Sequence, residues 1–242
     1  MDYLIVKHNI KLIYFTVTIE DRGSETITAI EPVVTQIRHL TENTFILRFT
    51  RGDMEFRAGQ HIIVGLHGEL DQREYSIYSG EIDDYLEILV KEVVDGSMSV
   101  KLKQCKPGQL LNVNGPFGSF GVESFDRYAR KLVFIATGTG ISPFHSFVRS
   151  YPGMDYTLLH GVSLIKEAYE RSDYDASRYS LYTSKEHNSG WIGRVTKYLP
   201  DLSVTSDMLF YLCGNGRMIS DAYNILRAKG IPAKNIFSER YF

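Results

Sequence analysis

Between residues 33 and 113, short apolar stretches alternate with polar turns at a spacing that suits strands. Val33-Val34-Thr35-Gln36-Ile37, Phe45-Ile46-Leu47-Arg48-Phe49 and His61-Ile62-Ile63-Val64 are rich in β-branched and aromatic residues, which pack well on a pleated surface. Tyr75-Ser76-Ile77-Tyr78 and Leu86-Glu87-Ile88-Leu89-Val90 continue the series. Leu110-Leu111-Asn112-Val113 follows the turn pair Pro107-Gly108. Six such strands predict an antiparallel barrel or sandwich. A single helix, Ser97 to Gln104, interrupts them.

The pattern changes after a polar stretch, Glu123 to Arg130, which reads as a linker. Leu132-Val133-Phe134-Ile135-Ala136 is a continuous apolar run, as in a strand buried on both faces. Tyr156-Thr157-Leu158-Leu159-His160, Tyr179-Ser180-Leu181-Tyr182 and Met208-Leu209-Phe210-Tyr211-Leu212 repeat it. Helical segments lie between them. The clearest sets Met218, Ile219, Ala222, Tyr223, Ile225 and Leu226 on one face, with Gly230 and Pro232 as stop signals. Strands alternating with helices predict a parallel α/β sheet. The expected organisation is an extension at 1–26, an all-β domain at 27–125 and an α/β domain at 126–242. There is no internal repeat.

Composition narrows the function. Over 242 residues the net charge is -2, which does not suit a nucleic-acid binder. Only Cys105 and Cys213 are present, so a four-cysteine zinc or iron–sulfur site within one chain is excluded. A disulfide framework is equally unsupported, which points to a reducing, cytoplasmic setting. The apolar runs at Tyr3-Leu4-Ile5-Val6 and Leu12-Ile13-Tyr14-Phe15 are too short to span a membrane, and no small-residue cleavage site follows them. They read as an extra strand or an extension. His61, His160 and His187 show no metal-ligand spacing and read as core or surface histidines. A nucleophile elbow of the GxSxG type is absent, so a hydrolase lacks support.

The chemistry-bearing stretches sit at element ends. Gly138-Thr139-Gly140-Ile141-Ser142-Pro143 follows a buried strand and precedes a helix that Ser142 can cap and Pro143 can begin. Such a turn can bind phosphate through free backbone N–H groups, and a plain strand–helix turn has the same pattern. Arg73-Glu74-Tyr75-Ser76 offers a guanidinium for a pyrophosphate, an aromatic plane for a flat ring and a hydroxyl for a ring nitrogen; an edge strand with one surface arginine reads the same way. Gly96-Ser97-Met98-Ser99 opens the lone helix and can add a phosphate contact or be a simple cap. Cys213-Gly214-Asn215-Gly216 follows a buried strand, where open α/β folds bind ligands, although a buried structural cysteine is the ordinary alternative. Glu239-Arg240-Tyr241-Phe242 ends the chain with two aromatics and reads as a docked tail.

In this order the stretches resemble the ferredoxin–NADP reductase family over about Ile30 to Phe242. RxYS is matched by Arg73, Tyr75 and Ser76, GxxS by Gly96 and Ser99, and the phosphate loop by Gly138 to Pro143. The nicotinamide motif is matched by Cys213-Gly214, and the terminal acidic–aromatic motif by Glu239 and Tyr241. The resemblance implies an FAD-binding barrel followed by a pyridine-nucleotide domain. It implies FAD held by Arg73, Tyr75, Ser76, Gly96, Ser97, Met98, Ser99 and Tyr241. NADP would be held by Gly138, Thr139, Gly140, Ser184, Lys185, Arg194, Cys213 and Gly214. Tyr75 and Tyr241 would cover the two flavin faces, with Ser76, Cys213 and Glu239 as the catalytic set. The implied reaction is hydride transfer between nicotinamide C4 and flavin N5, followed by single-electron transfer to a separate ferredoxin or flavodoxin. An oxygenase reductase component and a free-flavin reductase are the alternatives. Around the 2′-phosphate, Arg194 matches the family, Lys185 replaces an arginine and Ser163 replaces another, with no evident acidic substitute. This favours NADPH, with NADH as the alternative. Phe242 resembles the bacterial members that end in an additional aromatic.

Overall fold

The structure, a computed structural model, describes residues 32–93, 96–186 and 191–241. The expected extension, His187 and Phe242 lie outside the described residues. Strands β1 (Val34–His39), β2 (Thr44–Thr50) and β5 (Tyr85–Lys91) form one antiparallel sheet in the order β1-β2-β5. Strands β4 (Gln72–Ser76), β3 (His61–Leu66) and β6 (Leu111–Phe117) form a second. Isolated bridges close the ring: Ile77 pairs with Ile88, and Val33 with Leu110. The result is a six-stranded antiparallel barrel in the order 1-2-5-4-3-6. Alternate residues of these strands, with Met98 and Leu102 of helix α1 (Ser97–Lys103), fill its core.

The second unit is one six-stranded parallel sheet. Its order is β10 (Trp191–Ile192), β9 (Tyr179–Thr183), β8 (Tyr156–Val162), β7 (Leu132–Thr137), β11 (Leu209–Asn215) and β12 (Ile236–Tyr241). The chain leaves β7 in one direction to build β8 and β9, then returns to place β11 on its other side. That reversal makes the carboxyl ends of β7 and β11 the ligand-binding crevice of an open α/β sheet. Separate apolar clusters cover the two sheet faces. One includes Ile46, Ala58, Tyr78 and Leu89 from the barrel, so the two units share a core.

Several local expectations are corrected. The polar stretch after Glu123 contains a short helix, α2 (Asp126–Ala129). The strand expected at Tyr75–Tyr78 runs instead from Gln72 to Ser76, because Ile77 and Tyr78 turn away to meet β5. Ser142 does not cap helix α3 (Ser142–Ser150); a 3-10 turn at Gly138–Ile141 leads straight in, and the Ser142 hydroxyl donates back to the Thr139 carbonyl at 2.7 Å. On helix α4 (Gly216–Ala228), Met218, Ala222 and Leu226 are buried at i, i+4 spacing, whereas Tyr223 is 39% exposed.

Candidate active site

The end of β11 is built by register. Cys213 lies between Ala136 of β7 and Glu239 of β12, and Asn215 is level with Tyr241. Glycine is required on both sides of this point. A Cβ on Gly140 would sit 2.4 Å from the Cys213 carbonyl oxygen, and one on Gly214, at φ +122, would sit 2.4 Å from Thr137 Oγ1. The glycines therefore let the 3-10 turn close onto β11, and the Thr137 hydroxyl accepts from the Asn215 N–H at 2.9 Å. Asn215 then caps α4 through Arg217 and Met218 N–H groups.

In front of these ends lies a cleft of about 580 Å³. Gly138, Thr139, Ser184, Arg194, Gly214 and Tyr241 line it. Gly140 and Cys213 are buried behind it. Lys185 is not part of the lining; its backbone N–H bonds the Ser163 carbonyl, which keeps it on the same rim. Two carboxylates that sequence reading passed over, Glu167 and Asp221, also face the cleft. Glu167 is fully engaged: Oε1 takes Lys91 Nζ at 2.8 Å, and Oε2 accepts from the Ser163 and Leu164 N–H groups. An added Cβ at Gly138 would meet open space, so the loop has room for a ligand.

His160 is the residue whose role sequence reasoning missed. It is wholly buried on β8, its Nε2–H donates to the Gly138 carbonyl at 2.9 Å, and Nδ1 accepts from the Tyr179 hydroxyl at 2.8 Å. Burial pushes its pKa down to about 4, so the ring is neutral and braces the loop.

At the mouth of the cleft the two units meet through a hydroxyl chain. The Tyr241 hydroxyl donates to Ser76 Oγ at 2.7 Å, and Ser76 Oγ donates to Glu239 Oε2 at 3.1 Å. Ser76 is 4% exposed. Burial raises the Glu239 carboxyl above its ordinary range, against the Ser76 hydrogen bond and the His61 ring, which lower it. His61 Nδ1 lies 3.6 Å from Glu239 Oε1. Burial also holds the Cys213 thiol and the Tyr241 hydroxyl neutral, and pushes Tyr75 up to about 12.

The barrel residues expected at FAD divide into two groups. Arg73 is exposed, and the Asp71 carboxylate bridges its guanidinium to the Ser97 hydroxyl. One anion thus already joins the two groups expected at a phosphate, and this pair fits a pyrophosphate. Met98 and Ser99 do not present their side chains. Met98 is buried in the barrel, and Ser99 Oγ accepts from the Val93 N–H at 3.0 Å, because helix α1 turns that face into the core.

The sequence matches the oxidoreductase FAD-binding domain over residues 31–121 and the oxidoreductase NAD-binding domain over residues 134–224. A ferredoxin–NADP reductase of Azotobacter vinelandii is 31% identical over 231 residues, 82% of this chain and 89% of that protein. The chain belongs to the ferredoxin–NADP reductase family. It carries the FAD-binding and NAD-binding domains of these oxidoreductases. A flavodoxin/ferredoxin–NADP reductase of Rhodobacter capsulatus is 36% identical, but the match spans 121 residues, 48% of this chain and 44% of that protein. A toluate 1,2-dioxygenase electron transfer component of Pseudomonas putida is 24% identical over 87% of this chain and 67% of that protein. The fold is that of a ferredoxin NADP+ reductase from Neisseria gonorrhoeae solved with FAD and NADP, with TM-score 0.75 at 24% identity over 88% of this chain and 98% of that one. No helix among the described residues is long and apolar enough to cross a membrane.

Proposed function

We propose that the chain oxidises NADPH and passes the electrons singly to a separate carrier, a ferredoxin or a flavodoxin. The carrying observation is the chain Tyr241–Ser76–Glu239, which joins the barrel to the dinucleotide cleft. Bound FAD supplies the conversion of a hydride into two single electrons. Arg73 and Ser97 hold its pyrophosphate, and Tyr75 offers the ring surface. Tyr241 occupies the space between cleft and barrel, and its side chain yields that place to nicotinamide. Glu239, whose carboxyl burial raises above its ordinary range, accepts from the Ser76 hydroxyl and so stands one hydrogen bond from it. Cys213, buried behind the cleft, sets a neutral sulfur under the nicotinamide end without adding charge.

NADPH is favoured because Ser184 and Arg194 line the cleft, with Lys185 and Ser163 backbone-paired at its rim. Glu167 cannot serve a 2′-hydroxyl freely, since Lys91 and two N–H groups occupy its oxygens. The carrier is separate because two cysteines cannot ligate an iron–sulfur cluster. The match to 89% of the Azotobacter reductase supports this over the second reading, an oxygenase electron transfer component, which the Pseudomonas relative favours.

The test is anaerobic reduction of the purified yellow protein, then steady-state rates with ferredoxin, flavodoxin and free flavin at matched concentration. NADPH bleaches the protein faster than NADH, and a protein carrier outruns free flavin. A colourless protein that cannot be reconstituted with FAD sinks the reading, and a higher rate with free flavin reassigns it as a flavin reductase.

A further inference from the structure

On the seam between the two units, away from the cleft, a histidine faces two carboxylates. His145, on α3, is 1% exposed, and its Nδ1 lies 2.7 Å from the Tyr78 carbonyl oxygen. A carbonyl only accepts, so Nδ1 carries the proton. That leaves Nε2 pointing at Asp173 Oδ2, 3.0 Å away, and at Glu170 Oε2, 3.8 Å away. A neutral ring in this place sets its lone pair against anionic oxygens, so the position calls for positive charge. The three atoms all lie within 4.8 Å of one another.

A second observation points to the same place. The Tyr78 ring stacks on His145 with centroids 3.7 Å apart, and its buried hydroxyl lies beside Glu170. The Tyr174 hydroxyl is buried with no hydrogen-bond partner among the described residues, and its ring stands edge-on to His145 with centroids 5.9 Å apart. A hydroxyl on a ring 4% exposed is thus left unsatisfied beside the cluster, a costly arrangement without a bound group to meet it. Local charge is also short. Glu87 and Glu170 face Arg38 and Arg48, while Arg149, the arginine that acts on Asp173, is taken up by Asp83.

We propose that His145 Nε2, Glu170 Oε2 and Asp173 Oδ2 bind a divalent transition-metal ion, with water completing its shell. One imidazole and two carboxylates form a donor set for zinc-class ions. The carbonyl on Nδ1 fixes the ring and its tautomer, as the partners of metal-bound histidines do. Metal-bound water meets the Tyr174 hydroxyl. The ion joins α3 to the segment carrying Glu170 and Asp173. Through the Tyr78 carbonyl and the Glu170–Arg38 ion pair it also ties the sheet unit to the barrel. Its role is structural, and it is independent of the acceptor proposed above. A proton on Nε2 is the rival source of charge.

The experiment uses the untagged, flavin-loaded full chain, stripped with a chelator and titrated with Zn2+ alone by calorimetry, with metal content measured by mass spectrometry. We expect about one equivalent bound with Kd below about 10 μM, and a Tm rise of about 5 °C or more at hundredfold excess. Asp173→Asn, at a half-exposed side chain that the fold tolerates, and His145→Gln each weaken binding at least about tenfold. Asp175→Asn, on the exposed neighbour, leaves it unchanged. No zinc uptake by the wild type, or uptake by Asp173→Asn and His145→Gln equal to that of the wild type, overturns the proposal.

Discussion

The neutral His160 behind the phosphate loop has a stability consequence that can be worked out. Its pKa is about 4 in the folded protein against an ordinary value of 6.5. Above pH 6.5 neither state binds the proton and the histidine is neutral in its effect. As pH falls below 6.5, the unfolded chain takes up a proton that the folded chain refuses, so stability declines until about pH 4. One pKa unit corresponds to about 1.4 kcal/mol, and integrating between pH 7 and pH 5 gives a loss of about 2 kcal/mol. Glu239 works in the opposite direction. Its raised pKa means that the folded state protonates first and gains stability as pH falls.

The His160 contribution is isolated by comparison with His160→Gln, which does not titrate. Urea unfolding of both proteins is followed by circular dichroism at pH 7 and pH 5. At pH 7 the variant is less stable, because the Gly138 and Tyr179 contacts are disturbed. The gap closes by about 2 kcal/mol at pH 5, since the wild type alone carries the penalty. Equal losses in the two proteins, within about 0.5 kcal/mol, refute the buried neutral ring.

Arg73→Ala raises the dissociation constant for FAD at least about tenfold by removing a charge-assisted contact, whereas Cys213→Ala keeps its flavin and slows reduction by NADPH; equilibrium flavin titration and stopped-flow absorbance separate the two. Gly140→Ala drives a methyl into the β11 backbone and lowers Tm by several degrees, at about 2 kcal/mol of overpacking, as a thermal scan will show. Replacing Lys185 and Arg194 together by Ala cuts kcat/KM for NADPH at least about tenfold and leaves NADH unchanged; equal losses for both cofactors contradict their placement at a 2′-phosphate.

The sheet strands were readable because a strand covered on both faces must be apolar throughout, as β7 and β11 are. The barrel strands were readable because six short β-rich runs are separated by turn residues. Strand β10 and the 3-10 turns were not, since they are too short to show a period. At the site, glycines and a Glu-x-Tyr carry a local signal, and Gly138, Gly214 and Tyr241 come together on one cleft. Side-chain direction does not show in a motif. Met98 and Ser99 belong to the matched stretch, yet α1 turns both inward. Long-range partners were invisible for the same reason. Arg38, Tyr78, His145 and Glu170 are separated by up to 132 residues and meet only when the two units pack. The Gly138–His160 bond likewise depends on β7 lying beside β8.

The hydroxyl chain makes a specific demand on the fold. Ser76 belongs to the barrel, while Glu239 and Tyr241 belong to the last strand of the parallel sheet. Their 2.7 and 3.1 Å contacts survive only if the two units hold a fixed relation. Domains in one chain ordinarily move against each other unless their interface is large and apolar. Here a single apolar cluster runs from Ile46, Ala58, Tyr78 and Leu89 of the barrel into the face of the sheet. Polar contacts rim it: Lys91 with Glu167, Arg149 with Asp83, and Ser146 with the Ser79 carbonyl. A seam of that kind resists hinge motion, because opening it would expose a close-packed core. On the proposed function, access of nicotinamide to the barrel then falls to the Tyr241 side chain, on the edge strand β12. Under the proposed function the moving part is one aromatic ring, while the shared core keeps Ser76 and Glu239 in register.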